Sequence, residues 1–321
     1  VRDRRMLKEY KNIPVLISGA EGFIGSHLAG RLAAAGAKVA ALVQPGVSLR
    51  RLSSIEKKIK IYPVDIRRQD TLSQIVAAAA PRKVFHLAAV ADVDRSLIKF
   101  APLFAVNLGG TLNLLRSLEK IDYDAMVTTC TAEAYGNNPP PFREDMVLDP
   151  ISPYSCSKVA ATLLCKTWAD LGAKPITILR LFLVYGPAQG REKFLPQLIE
   201  AGLSGRPLRM TAGEQRREYT YIDDIIEGFL LAGKKPSAGG RVLNLGSGRD
   251  IALRELVAKV ESILGRPVVR DDVILPYRKN EIPRIVGDHS RAEEELGWRP
   301  ATGLDSGLAK TIEWYRQNLS T

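Results

Sequence analysis

Gly19-Ala20-Glu21-Gly22-Phe23-Ile24-Gly25 stands between a short apolar run at 13–18 and a stretch at 23–35 whose apolar residues recur at helical spacing. A strand that ends in spaced glycines and opens a helix is the turn a dinucleotide requires. The first glycine permits a tight turn, the second lets the backbone approach a pyrophosphate, and the third lets helix and strand pack closely. The helix N-terminus then offers unpaired N–H groups and a positive dipole end to the phosphates.

Outward from this turn, residues 38–43, 59–64, 84–89, 125–130 and 177–182 read as further strands, with helical spacing at 72–80 and 111–118 between them. Strands alternating with helices predict an α/β fold, a Rossmann-type doubly wound parallel sheet. Past residue 180 the texture changes, with turn-forming pairs at Gly186-Pro187 and Arg206-Pro207. Residues 242–245 read as one more strand, and 253–264 and 308–318 as helices. The layout predicts a dinucleotide-binding domain over 12–180, to which part of 215–250 returns. Most of 181–321 then forms a smaller, interleaved substrate-binding domain, and 321 residues suffice for both.

Composition narrows the class. Apolar residues make up 45% and charged residues 25%, ordinary for a globular enzyme that needs no staples. Cys130, Cys156 and Cys165 are odd in number and form no CxxC pair, which argues against a disulfide framework and fits a reducing cytoplasm. His27, His86 and His289 are too scattered to suggest a metal cluster, so no metal is expected. No unbroken apolar run reaches the roughly 18 residues that span a bilayer. Residues 1–12 are charged and unlike a signal peptide, so a cytoplasmic location without a membrane partner is expected. The net charge of +11 favours anionic partners. The basic residues are spread along the chain rather than massed, so nucleic acid is not an expected partner.

Pro153-Tyr154-Ser155-Cys156-Ser157-Lys158 carries a tyrosine and a lysine four residues apart, which share one face of a helix. An ammonium near a phenol lowers its pKa, and such a phenol exchanges protons with a hydroxyl or carbonyl. Upstream, Thr128-Thr129-Cys130-Thr131-Ala132-Glu133-Ala134-Tyr135-Gly136 follows a strand. The end of the second strand bears on the cofactor. An acid there would hold a ribose 2′-hydroxyl, but Val43 is followed by Gln44-Pro45-Gly46, with Ser48, Arg50 and Arg51 beyond. Arginine suits a phosphate, so NADP is favoured over NAD, with Arg50 as its ligand.

The GxxGxxG spacing resembles the extended branch of the short-chain dehydrogenase/reductase superfamily, and the resemblance covers nearly the whole chain. His86-Leu87-Ala88-Ala89, Asn107-Leu108-Gly109-Gly110-Thr111 and Tyr185-Gly186-Pro187 are similar to its motifs. So are Arg217-Glu218-Tyr219-Thr220-Tyr221-Ile222-Asp223-Asp224, Asn244-Leu245-Gly246-Ser247-Gly248 and Leu296-Gly297-Trp298-Arg299-Pro300. Together they look like the nucleotide-sugar epimerases, dehydratases and reductases. The resemblance implies that Gly19, Gly22, Phe23, Ile24, Gly25, Ile66, Leu87, Ala88 and Ala89 lie along the cofactor and that Asp65 meets the adenine amine. It implies that Thr131, with Thr129 as the fallback, holds the substrate oxygen while Tyr154 and Lys158 move the proton. It further implies that Arg217 and Arg278 grip the diphosphate of a nucleotide-diphosphate sugar, and that a homodimer forms through helices around 101–118 and 155–171.

The shared reaction is hydride transfer at sugar carbon 4. Three departures from the family pattern stand out, of which the first bears on the step after that transfer and the second on the pose of the substrate. The Asp-Glu pair of dTDP-glucose 4,6-dehydratases is here Ala132-Glu133, which leaves Glu133 as the candidate base; Leu183 stands where an asparagine is usual; and Thr162 stands where many members have glutamate. The first reading is an NADPH-dependent 4-keto-6-deoxy-sugar-nucleotide reductase. The alternative is a 4-epimerase, or a GDP-mannose-type 4,6-dehydratase, that recycles bound cofactor. A non-catalytic binding protein comes last, because it would need no tuned phenol.

Overall fold

The computed structural model describes residues 7–235, 239–277 and 281–318. In chain order the strands are β1 (Pro14–Ser18), β2 (Lys38–Val43), β3 (Lys60–Pro63), β4 (Lys83–His86), β5 (Ala125–Thr131) and β6 (Ile176–Leu181). There follow β7 (Leu183–Tyr185), β8 (Leu208–Met210), β9 (Arg216–Tyr221), β10 (Arg241–Leu245), β11 (Asp250–Ala252), β12 (Val269–Ile274) and β13 (Arg284–Ile285). The helices are α1 (Phe23–Ala34), α2 (Gln69–Ala79), α3 (Phe100–Phe104), α4 (Thr111–Ser117) and α5 (Pro153–Gly172). The later ones are α6 (Phe194–Ser204), α7 (Ile222–Lys234), α8 (Leu253–Leu264), α9 (Ser290–Leu296) and α10 (Leu304–Asn318).

Seven parallel strands form the main sheet in the order β10-β6-β5-β4-β1-β2-β3. Successive side chains of a strand point to opposite faces. Ile17, Phe85, Val127 and Leu179 therefore pack with α1 and α7, while their neighbours Leu16, Val84, Met126 and Ile178 pack with α2, α4 and α5. Burial on both faces explains the near-continuous apolar runs of these strands. The fold is the doubly wound Rossmann type, and its strand order reverses between β1 and β4. The carboxyl ends at that switch point are where such sheets take ligands.

A smaller set of strands lies in the C-terminal part: β9 pairs antiparallel with β11 and parallel with β7 and β13, and β8 pairs with β12. Helix boundaries depart from the sequence expectation in one instructive place. The helix expected at 111–118 starts earlier, running from α3 through a π-helical turn, Ala105–Gly110, into α4. The π turn carries Asn107, which is buried. The continuous helical stretch Leu97–Ser117 is also long and apolar enough to cross a bilayer by length and composition, which a search for unbroken apolar runs overlooks. Leu103, Leu114 and Leu115 pack into the fold, whereas Leu97 and Ile98 are 83% and 80% exposed.

Glu218 is wholly buried on β9. Its two carboxyl oxygens accept the N–H groups of Gly248 (2.9 Å) and Gly287 (2.6 Å), so it ties two loops to the strand. Burial outweighs these donors and pushes the carboxyl up to about 7. A raised acid favours the folded state most at low pH. As pH climbs from the unfolded value toward 7, the unfolded chain ionises first and folding loses free energy. We expect the melting temperature to fall between pH 5 and pH 8, and Glu218→Gln to flatten that fall while lowering stability throughout. Calorimetric scans across this range check it, and identical slopes for the two proteins count against the assignment.

Candidate functional site

The glycine turn is shaped by backbone contact. Gly19 has φ +71°, and a Cβ on it would lie 2.7 Å from the backbone nitrogen of Ala88. A Cβ on Gly25 would lie 2.1 Å from the carbonyl oxygen of Gly19, so α1 can sit this close to β1 only with glycine there. The N-cap of α1 is Gly22, without a side-chain cap, which leaves the first-turn N–H groups around Phe23, Ile24 and Gly25 free for an anion. Beside them a cleft of about 400 Å³ is lined by Gly19, Gly22, Ile66, Leu87, Ala88 and Ala89, with Glu21, Val43 and Gln44 on the side of β2. A glycine cradle, an uncapped helix end and an apolar slot between strand ends fit a nicotinamide dinucleotide.

The floor of the cleft is a buried hydrogen-bond chain. Ser18 Oγ on β1 lies 2.6 Å from His86 Nδ1 on β4, and His86 Nε2 lies 2.9 Å from Thr111 Oγ1 on α4. Burial, aided by the Lys158 charge, pushes His86 down to about 3, so its ring is neutral. Thr111 donates to the carbonyl of Asn107. The Asn107 amide accepts from Val90 N–H (2.8 Å) and donates to Val90 C=O (3.1 Å) and Ser157 Oγ (2.9 Å). The π turn thus lets one side chain hold the loop after β4 against α5.

Helix α5 begins with a capping box, Ser152 and Ser155, and with Pro153 in its first turn, which fixes the position of Tyr154. Tyr154, Thr131 and Glu133 line a common cavity of about 390 Å³, and the Thr131 hydroxyl is near enough to the phenol to act on its acidity. Lys158, one turn along, is buried and donates from Nζ to Thr129 Oγ1 (3.2 Å). The expectation that lysine lowers the phenol pKa is not met in the chain alone. Burial raises Tyr154 above its ordinary value, with Thr131 acting the other way, and burial lowers Lys158. Burial is the physical reason: it disfavours the charged form of both groups, and the Lys158 ammonium is bonded to Thr129 rather than to the phenol. Thr162, unexplained by sequence, donates its hydroxyl to the Lys158 carbonyl (2.8 Å).

Glu133 accepts a hydrogen bond from Ser152 Oγ (3.0 Å). Burial raises its carboxyl, with Ser152, Arg95 and Arg217 opposing and Glu281 reinforcing. Arg217 pairs with Glu281 and donates to the carbonyl of Arg216 (2.8 Å). Burial lowers its pKa while Glu281 raises it. A second cavity of about 540 Å³ continues from the first, sharing Leu183, Glu192, Lys193, Phe194, Arg217 and Glu281 with it, and reaches Arg209, Thr211 and Gln215. Arg217 therefore stands at the junction of the two cavities.

The structure brings Thr131, Glu133, Tyr154 and Arg217 to one cavity, and Gly19, Gly22, Ile66 and Leu87 to Ala89 to one cleft; Phe23, Ile24 and Gly25 form the first turn of α1 beside that cleft without lining it, and Lys158 is buried behind Tyr154. Two expected residues lie elsewhere. Arg50 lines a separate cavity with Ser48, Arg51, His27 and Arg191, because the 3-10 helix Arg50–Lys58 packs on α1 and carries it away from the cleft. Asp65 turns its carboxylate onto the Arg67 guanidinium, while its neighbours Val64 and Ile66 face the cleft. Arg278 lies outside the described residues. Sequence reasoning gave no role to Arg95, Lys193 or Glu281, whose approach to the cavity depends on loops far apart in the chain. Nor did it give one to Glu21, although an acid inside a glycine turn is itself a signal.

Comparison with known proteins agrees with this geometry. The family model described as "NAD dependent epimerase/dehydratase family" matches residues 15–246. A UDP-glucuronate 4-epimerase of Thermodesulfobacterium geofontis is 32% identical, covering 95% of this chain and 96% of its own. A UDP-glucose 4-epimerase of Mycolicibacterium smegmatis is 34% identical, covering 94% of this chain and 98% of its own. Among solved structures, the UDP-glucose 4-epimerase of Thermotoga maritima with UDP-glucose superimposes with a TM-score of 0.87 at 30% identity, over 95% of this chain and 99% of that one. The UDP-glucuronic acid 4-epimerase of Bacillus cereus, with UDP-glucuronic acid and NAD, gives 0.86 at 29% identity over the same shares. This chain belongs to the NAD dependent epimerase/dehydratase family and is an enzyme of the extended short-chain dehydrogenase/reductase type.

Proposed function

We propose that the chain is a nucleotide-sugar 4-epimerase that retains its nicotinamide dinucleotide through the catalytic cycle. The observation that carries this reading is the convergence of Thr131, Tyr154 and Glu133 on one cavity. That cavity starts at Ala91, where the cleft-lining loop Leu87 to Val90 ends, and opens past Arg217 into a second cavity of nucleotide size. The reading reverses the order of the sequence expectation, which put a 4-keto reductase first. The relatives that support it carry 4-epimerase names, and they give uridine diphosphate as the nucleotide we infer. Ala132 removes the acid that a dTDP-glucose-type dehydratase uses on its departing hydroxyl.

In this mechanism the bound dinucleotide supplies reversible hydride acceptance at sugar carbon 4. The chain supplies the rest. Tyr154 takes the proton of the 4-hydroxyl and later returns it, and Thr131 holds the same oxygen by its hydroxyl. Lys158 contributes a buried positive charge that stabilises the phenolate as it forms. Arg217 holds the diphosphate while the sugar presents its other face, so the anchor is the nucleotide and the sugar turns. Glu133, kept near Ser152, orients a neighbouring sugar hydroxyl. We read 12–180, with 215–250 in part, as the cofactor domain and most of 181–321 as the substrate domain. We also infer a homodimer, since the exposed Leu97 and Ile98 and the exposed Leu163 and Leu171 of α5 give apolar surface to the two helices that would pair. A cytoplasmic location fits the three free thiols.

An epimerase interconverts UDP-sugars differing at carbon 4 without added NADPH; turnover that consumes NADPH in proportion to product would return the reductase to first place. Tyr154→Phe is expected to keep dinucleotide binding and lose activity by about 10²–10⁴-fold, the usual worth of a positioned acid–base group. Wild-type turnover in that variant would remove Tyr154 from the mechanism. Arg217→Ala is expected to raise KM for the nucleotide sugar by about tenfold or more, with a smaller change in kcat, as befits lost charge-assisted bonds to a phosphate. Steady-state kinetics separate the two parameters, and an unchanged KM contradicts the phosphate role.

A further inference from the structure

Glu21 occupies the third position of the glycine turn, between Ala20 and Gly22. The turn is strapped to the end of β2: the N–H groups of Gly19 and Ala20 donate to the carbonyl of Leu42 at 3.0 and 3.2 Å. The Glu21 side chain crosses the same gap, and its Oε1 accepts the N–H of Gln44 at 3.0 Å. Its Oε2 is buried and finds no hydrogen-bond partner among the described residues. Both Glu21 and Gln44 line the dinucleotide cleft. A carboxylate therefore stands at the C-terminal end of β2, although the strand itself ends in Val43-Gln44 and carries no acid.

We propose that Glu21 is the ribose-reading residue of this enzyme and selects NAD against NADP. The assignment rests on the reading of the cleft as a dinucleotide site. A buried carboxylate oxygen without a donor is costly, and a hydroxyl is the partner that satisfies it. The adenosine ribose of NAD brings a 2′-hydroxyl to the end of β2. A 2′-phosphate in the same place brings no hydroxyl donor at that carbon and sets two anions side by side. The cations that favoured NADP in the sequence do not offset this. Arg50 and Arg51 line the neighbouring cavity, where Arg51 Nε donates to the Ala188 carbonyl (2.8 Å). Arg67, at the cleft, is paired with Asp65. The acid of the family pattern is thus moved from the strand to the turn that faces it, and the Gln44 backbone holds it in place.

Isothermal titration of NAD and NADP into the full-length chain, freed of nucleotide, tests this in the wild type, Glu21→Gln and Glu21→Ala. The wild type should bind NAD about tenfold or more tightly than NADP, the scale of one charge-assisted hydrogen bond. Both variants should lose most of that ratio through weaker NAD binding, with NADP held or improved. NAD lacking the adenosine 2′-hydroxyl should bind the wild type about as weakly as NAD binds Glu21→Ala. Equal affinities or an NADP preference in the wild type overturn the assignment and leave the dinucleotide reading intact. So does an equal loss for both dinucleotides in the two variants, with unchanged melting temperatures. Failure of the wild type to bind either dinucleotide overturns both.

Discussion

The hydrogen-bond chain through the neutral ring of His86 joins four elements that no apolar contact could register to one another with the same directionality. β1 enters through Ser18, β4 through His86, the interrupted helix through Thr111 and Asn107, and α5 through Ser157. Each of these elements carries a part of the site: the glycine turn comes after β1, the apolar slot after β4, and the phenol rides on α5. The chain is wholly buried and satisfied by protein groups, the condition under which polar networks specify one arrangement. The ring stays uncharged, so it adds no positive charge to that of the buried Lys158.

The sugar cavity is built on opposed charges rather than on a single sign. Arg217 is matched by Glu281, and Glu133 by the hydroxyl of Ser152 with Arg95 nearby. Paired in this way, Arg217 is preorganised but not freely available, so under the proposed function a diphosphate would compete with Glu281 for the guanidinium or share it. Leu181, Phe182 and Leu183 supply the apolar wall. Leu183 in particular replaces an amide with a side chain that makes no hydrogen bond. On the proposed function, substrate orientation would then rest more heavily on Arg217 and on the hydroxyls of Thr131 and Tyr154.

Much of this was legible in the sequence where the signal is local. The glycine turn, the β-branched runs and the spacing of Tyr154 and Lys158 each lie within one element or one junction, and periodicity reports such things directly. The parts that were not legible depend on direction and distance in space. Arg50 lies just past β2 in sequence, yet the helix it starts turns it toward α1. The Arg217–Glu281 pair joins residues 64 apart, and Glu21 meets Gln44 across 23. The phenol's acidity also escaped, since spacing places lysine near tyrosine but does not say how deeply both are buried.

The sheet's outer strand β10 comes from residues 241–245, long after its neighbour β6 at 176–181. A nascent chain that has emerged through β6 holds six parallel strands and an unpaired, strongly apolar edge until some sixty further residues leave the ribosome. The C-terminal third therefore supplies the strand that seals this edge, β10, and the helix α7 that covers one face of the sheet. Any truncation placed between β6 and β10 leaves that edge open to a second molecule.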